Sequence, residues 1–137
     1  MWKLYAILAA VFAALTAISA KVGVRGVSGN VATAVRTCVV LLLAWGIVIF
    51  GGQMKELREL SRFNVIFLLL SGVATGLSWI FYFKALETGD VSRVAPIDKL
   101  SVVFVMIIAF VFLGEPMTLK SAAGGLLITI GAVLLTL

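Results

Sequence analysis

Five stretches of this chain, residues 2–20, 31–50, 64–86, 94–113 and 119–137, are apolar over nearly the length that a helix needs to cross a bilayer. A spanning helix takes about 20 residues, within a range of about 17 to 25, because the hydrocarbon core is about 30 Å thick. Lipid offers no partner for a backbone N–H or C=O, so each such stretch must satisfy its own backbone as a helix. The expectation is an all-α fold: a polytopic membrane helical bundle of five transmembrane helices, one domain covering residues 1–137. An odd number of spans puts the two termini on opposite faces of the membrane.

Composition supports a lipid-embedded chain. Of the 137 residues 63% are hydrophobic and 12% charged, with a mean hydropathy of +1.22, against about half apolar and about a quarter charged in a soluble domain. The net charge of +5 does not imply nucleic acid as a partner, because the cations are scattered between apolar blocks and form no basic stripe. Cys38 is the single cysteine and there is no histidine, so neither an intrachain disulfide nor a metal site is expected, and no cofactor. Lys3 before a long apolar run resembles the start of a signal peptide. The run is longer than the usual 7 to 15 residues, however, and is expected to stay as the first helix.

The connections carry turn chemistry. Residues 21–30 hold three glycines and two cations, with Asn30 expected to cap the second helix. Gly51 and Gly52 end that helix, and residues 55–62 suggest a short amphipathic helix at the membrane surface, with Leu57 and Leu60 on one face. Turns at 88–92 and 114–118 are short enough to make the last three spans antiparallel neighbours. Gly72 and Gly76 form a GxxxG pair, and Gly124 and Gly131 lie a heptad apart. Such spacings serve close packing inside a bundle or between subunits.

Charges inside the apolar stretches are the candidate functional groups. An ionisable side chain in hydrocarbon costs about 2.5 to 3.5 kcal/mol on insertion scales, so Asp98 and Lys99 must face protein, each other or a wet cavity. One reading pairs Asp98 with Lys84 across the turn. The other has Asp98, Lys99 or Lys84 meet a substrate or a coupling ion, the surplus cation holding an anionic substrate group or snorkelling to the interface. Pro96 fits the first turn of the fourth span or loosens a gate there. Trp79 and Tyr82, three apart, share a helix face and either line a pocket or anchor the interface. Arg36 is expected to snorkel, and Glu115, beside Pro116, to be solvated. No nucleophile with a base, no paired carboxylates and no phosphate loop is present, so the chain is not expected to be an enzyme.

The motifs Phe81-Tyr82-Phe83-Lys84-Ala85-Leu86, Thr88-Gly89-Asp90, Arg93-Val94-Ala95-Pro96-Ile97-Asp98-Lys99-Leu100-Ser101, Phe112-Leu113-Gly114-Glu115 and Gly124-Gly125-Leu126-Leu127 resemble one EamA repeat of the drug/metabolite transporter superfamily. The resemblance covers the whole chain and is densest from Leu77 onward. Members of that family usually carry two five-helix repeats, inverted relative to each other. One repeat therefore implies a dimer with the solute path between subunits. The chain is also distantly similar to the small multidrug resistance proteins, antiparallel dimers whose first helix carries a glutamate for proton-coupled drug exchange. The matching place here is near Ala13 and the first helix has no acid, so that exchange is not implied.

The resemblance implies a half-sized transporter that moves a small organic solute by alternating access. Its place would be the cytoplasmic membrane of a bacterium or archaeon, with the bilayer and a second copy of the chain as partners. The alternatives are a non-transporting membrane subunit, a partner half of a hetero-oligomer, or a lipid-linked sugar flippase. Orientation bias bears on assembly. The N-terminal side holds Lys3, Lys55, Arg58, Arg62 and Lys120, the other side Lys21, Arg25 and Arg93, joined by Arg36, Lys84 and Lys99 if these snorkel outward. So weak a bias suits dual insertion and an antiparallel homodimer.

Overall fold

The apolar stretches fold as helices throughout, in a computed structural model that describes residues 1–137. Helix α1 spans Trp2–Gly23, α2 Gly29–Phe50, α3 Arg62–Thr88, α4 Val91–Asp98, α5 Ser101–Phe112 and α6 Leu119–Leu134. A 3-10 helix covers Gln53–Glu59, and there is no strand. Large apolar side chains such as Leu42, Leu69 and Phe104 are exposed. That is the inverse of a soluble domain and the pattern expected where lipid is the solvent.

Four segments are long and apolar enough to cross a membrane: α1, α2, α3, and α4 with α5 taken together as Val91–Phe112. The fifth expected span is shorter than the sequence indicated. With 16 residues, α6 covers about 24 Å at 1.5 Å per residue, less than the hydrocarbon core of about 30 Å. Beyond Leu134 the ladder mixes three- and four-residue bonds, with Val133 O accepting from Thr136 N at 3.0 Å and from Leu137 N at 3.2 Å.

The fourth span also differs from the continuous helix expected over 94–113. It starts earlier, at Val91, with Asp90 as N-cap. Pro96 consequently sits well inside α4 rather than in its first turn, and it has no N–H to return to the preceding turn. Beyond it the ladder tightens. Leu100 N donates to Ile97 O at 3.0 Å, Val102 N to Lys99 O at 3.1 Å and Val103 N to Leu100 O at 2.9 Å. These three-residue bonds separate α4 from α5, a local 3-10 geometry of the kind that marks strain or a hinge.

Hydroxyls, not the expected Asn30, satisfy the helix starts. Ser28 Oγ accepts from Val31 N at 3.4 Å, Ser61 Oγ from Asn64 N at 3.1 Å, and Thr118 Oγ1 from Ser121 N at 3.1 Å. Each pairs an amide that the first helical turn leaves without an intrahelical partner. Ser61 also explains why the surface helix expected over 55–62 stops short. The 3-10 helix ends at Glu59, Leu60 is extended, and Ser61 already belongs to the start of α3. Gly52 turns the chain after α2 with φ of +70°, a left-handed conformation that favours glycine.

The chain divides into two compact units, Met1–Ile18 with Thr88–Leu137, and Ser19–Glu87. In the first, α4 and α5 both pack on α6. Its buried positions are small, Ala109, Gly125 and Ala132, and a Cβ at Gly125 would lie 3.5 Å from the Met106 methyl. In the second, Ala20, Val24, Thr33, Phe83 and Leu86 are buried, and the start of α2 lies directly on the last turns of α3. Small residues at contacts let helix backbones approach where lipid removes the usual hydrophobic drive to associate. The glycine spacings singled out from sequence do not mark those contacts. A Cβ at Gly72, Gly76, Gly124 or Gly131 would meet nothing within 4 Å.

Gly29 is the tightest of these approaches, since an added Cβ would lie 3.0 Å from the Phe83 carbonyl carbon and 3.1 Å from the Lys84 amide nitrogen. Gly29→Ala should therefore destabilise the protein by about 1–3 kcal/mol, the usual cost of overpacking, and lower its unfolding midpoint in detergent followed by circular dichroism. Gly72→Ala and Gly76→Ala should leave the midpoint unchanged or raise it. Equal midpoints for all three would show that α2 does not close on α3 at Gly29.

Candidate functional site

In the first unit the charged centre lies where α4 gives way to α5. Asp98 ends α4 and Lys99 caps it, and their side chains form an ion pair, Lys99 Nζ to Asp98 Oδ2, at 3.4 Å. Neighbours in sequence do not face each other on a regular helix, and the tightened turn at this position accommodates the pair. Asp98 and Lys99 thus face each other, one of the placements expected for them. The Asp98 side chain is 37% exposed and that of Lys99 58%, so the pair is only partly enclosed by its own unit. Asp98 stands about 10 Å along the segment from Val91, at 1.5 Å per residue. A carboxylate and an ammonium there, at a helical interruption preceded by Pro96, neutralise each other and remain open to a third group.

The second unit joins three helix ends at one edge. Lys21, in the last turn of α1, donates from Nζ to the Leu86 carbonyl at 2.7 Å, pairing one of the terminal carbonyls of α3. Glu87 Oε1 accepts from the Gly29 N–H at the start of α2. A cation at a helix C-terminus and an anion at an N-terminus both suit the helix dipole, by about 0.3–1 kcal/mol each. Glu87 itself sits at the wrong end of its own helix for that effect, and its bond to α2 accounts for its place. Thr33 and Thr37 return their hydroxyls to the carbonyls of Gly29 and Thr33, both at 2.7 Å.

One turn deeper, Arg36 of α2 lies across two aromatic rings of α3. Its guanidinium carbon is 4.2 Å from the centroid of Trp79 and 5.6 Å from that of Phe83. Sequence reading expected Arg36 to snorkel. Instead the side chain stacks against Trp79, which lies about 13 Å inside the end of α3 at 1.5 Å per residue. Arg36 and Phe83 were missing from the candidate residues. The available signal was an arginine alone in an apolar run, whose head needs a partner. Which partner was not legible, because it depends on how α2 lies on α3.

Of the other candidates, Trp79 lies under Arg36, and Tyr82 sits edge-on to Phe83, ring centroids 6.4 Å apart. Lys84 is on an exposed face of α3, Glu115 is exposed as expected, and Pro96 is half-buried within α4. The first unit also contains a cavity of about 310 Å³ lined by Met106, Phe110, Glu115, Met117, Ser121 and Gly125 among others. It lies at the far end of α5 from Lys99. Its walls are apolar apart from Glu115 and Ser121, and it offers no charge pair comparable to the ion pair or the stacked arginine.

An all-helical chain with four segments long and apolar enough to cross a membrane has the build of a multi-pass membrane protein. The EamA-like transporter family matches residues 1–137, and the chain belongs to that family. It is 48% identical over 134 residues to an uncharacterized transporter in the cobO 3' region of Sinorhizobium sp, an alignment covering 98% of this chain and 95% of that relative. No solved structure matches it.

The joint between α1, α2 and α3 can be tested at Glu87. Glu87→Ala leaves the Gly29 amide without its acceptor and should cost about 1 kcal/mol, typical of a lost helix cap. Glu87→Gln retains a carbonyl oxygen and should recover most of that loss in thermal unfolding. Equal losses for the two variants would assign the effect to charge rather than to the hydrogen bond.

Proposed function

We propose that this protein is a half-sized transporter of the drug/metabolite type, which moves a small organic solute across the cytoplasmic membrane of a bacterium or archaeon as a dimer. The observation that carries the reading is the family match over the whole chain together with a relative of nearly the same extent. One five-helix repeat, with α6 as the fifth and shortest member, then serves as half of a transport path. In transporters built from inverted repeats the substrate site lies near the bilayer midplane beside discontinuous helices. The interruption between α4 and α5, with Asp98 and Lys99 at the break and Pro96 before it, supports placing part of the path there.

Alternating access would rock α1 to α5 of one copy against those of the other, with α6 holding each subunit together. Two copies inserted in opposite senses would reproduce an inverted pair from a single chain, and the near balance of cations on the two sides favours dual insertion.

Two experiments test the proposal. With Cys38 replaced, cysteines introduced one at a time at Gln53 and at Ser92 should each react with an impermeant maleimide from both faces of the membrane, in different molecules. Strict one-sided labelling would overturn the antiparallel arrangement and favour a parallel pair or a separate partner chain. In proteoliposomes loaded with mixed amino acids, sugars, nucleosides and organic acids, the parent should exchange at least one class. Asp98→Asn, which leaves Lys99 unpaired, should slow that exchange at least tenfold while unfolding near the parent's midpoint. Exchange at the parental rate would remove the ion pair from the path.

A further inference from the structure

We propose that Arg36, stacked on Trp79, binds the oxyanion, a carboxylate or a phosphate, of a small organic solute. This rests on the transporter reading above and deepens it by naming the charge of the solute. An arginine within a lipid-length helix is costly to place in hydrocarbon, and a desolvated cation–π contact recovers a large part of that cost. Trp79 and Phe83 thus offset much of the charge. Ring faces accept hydrogen bonds weakly, and the Tyr82 phenol close to Arg36 is a neutral group, so neither supplies the counter-anion that a guanidinium with five N–H donors can take.

Geometry fits that demand to an oxyanion. With its central carbon 4.2 Å from the Trp79 centroid, the guanidinium lies over the indole ring, and its five donors lie in the guanidinium plane. A planar fork held this way is preorganised for two parallel bonds to a carboxylate or phosphate. The side chain is half-buried, so its own unit leaves part of it open to a ligand. The indole beneath supplies an apolar wall for the body of the solute.

The chain itself offers no carboxylate for this role. Of its six acidic residues, Glu87 accepts from Gly29 and Asp98 from Lys99. Glu56 and Glu59 lie in the 3-10 helix, Asp90 caps α4, and Glu115 sits between α5 and α6. A second copy would bring the same set. None of those four stands inside a span, where Arg36 is about 10 Å from the start of α2 at 1.5 Å per residue.

The test uses Trp79 as its own reporter. The chain has three tryptophans, and Trp2→Phe with Trp45→Phe leaves Trp79 alone. In nanodiscs of phosphatidylcholine, benzoate and phenyl phosphate should change its fluorescence saturably, at concentrations at least tenfold below those of benzamide and benzamidinium, which share the ring but are neutral and cationic. Arg36→Gln should abolish the response, and Arg36→Lys, a point charge without the fork, should weaken it at least tenfold. If Arg36→Gln does not fold, Arg36→Lys and the three-charge comparison on the parent carry the test. An equal response to benzamide or benzamidinium, or an anion response surviving in Arg36→Gln, would overturn the proposal. So would a response produced only by adding phosphatidylglycerol, which would assign the site to a lipid headgroup. Because the readout is binding, anion binding without transport would sink the transporter reading alone. Transport without anion binding would sink this one alone.

Discussion

Hydrocarbon gives a polar group nothing to bond to, and nearly every local feature of this protein follows from that. Serine and threonine caps begin α2, α3 and α6, and threonine hydroxyls inside α2 fold back onto carbonyls of the preceding turn. Where three helices end together, Lys21 closes a carbonyl of α3 and Glu87 closes an amide of α2. Each bond is worth only about 1 kcal/mol net in water. In a medium where an unmet group costs several kcal/mol, the same bonds decide which ends can lie near lipid.

The same constraint sorts the charges. Asp98 and Lys99 neutralise one another beside a break in the helical ladder, and Arg36 spreads its charge over two rings. Neither arrangement is complete. The ion pair is partly open, and the arginine keeps donors that no aromatic face can satisfy. Two incompletely satisfied charged groups inside lipid-length segments are expensive to retain for packing alone, which motivates the proposals that place both on a solute path.

Legibility was uneven in an instructive way. The apolar runs identified α1, α2 and α3 within a few residues, because length and hydropathy are properties of the segment itself. The fourth span was right in position and wrong in continuity: Pro96 and the two charges were visible, but the earlier start at Val91 put the proline inside the helix. Residues 55–62 followed an amphipathic pattern that a helix fits, yet Ser61 was taken by α3. Gly72 and Gly76 had the spacing of a packing motif, yet an added Cβ at either would meet nothing within 4 Å, while Gly29 and Gly125, with no such spacing to single them out, carry the close contacts.

Sequence alone determined that this chain is helical and apolar enough to cross a membrane, the places of its first three spans, and, through motifs running from Phe81 to Leu127, its likeness to the EamA-like transporters. Those are local or cumulative properties, written in consecutive residues and in the cost of placing backbone in hydrocarbon. Only the tertiary structure decided that Arg36 meets Trp79 and Phe83, that Glu87 serves α2 instead of its own helix, and that Asp98 takes Lys99. The physical reason is the same in each case. A lone charge in an apolar run states a debt of several kcal/mol, and the partner that meets it is fixed by how one helix is rotated and shifted against another, which no single segment encodes.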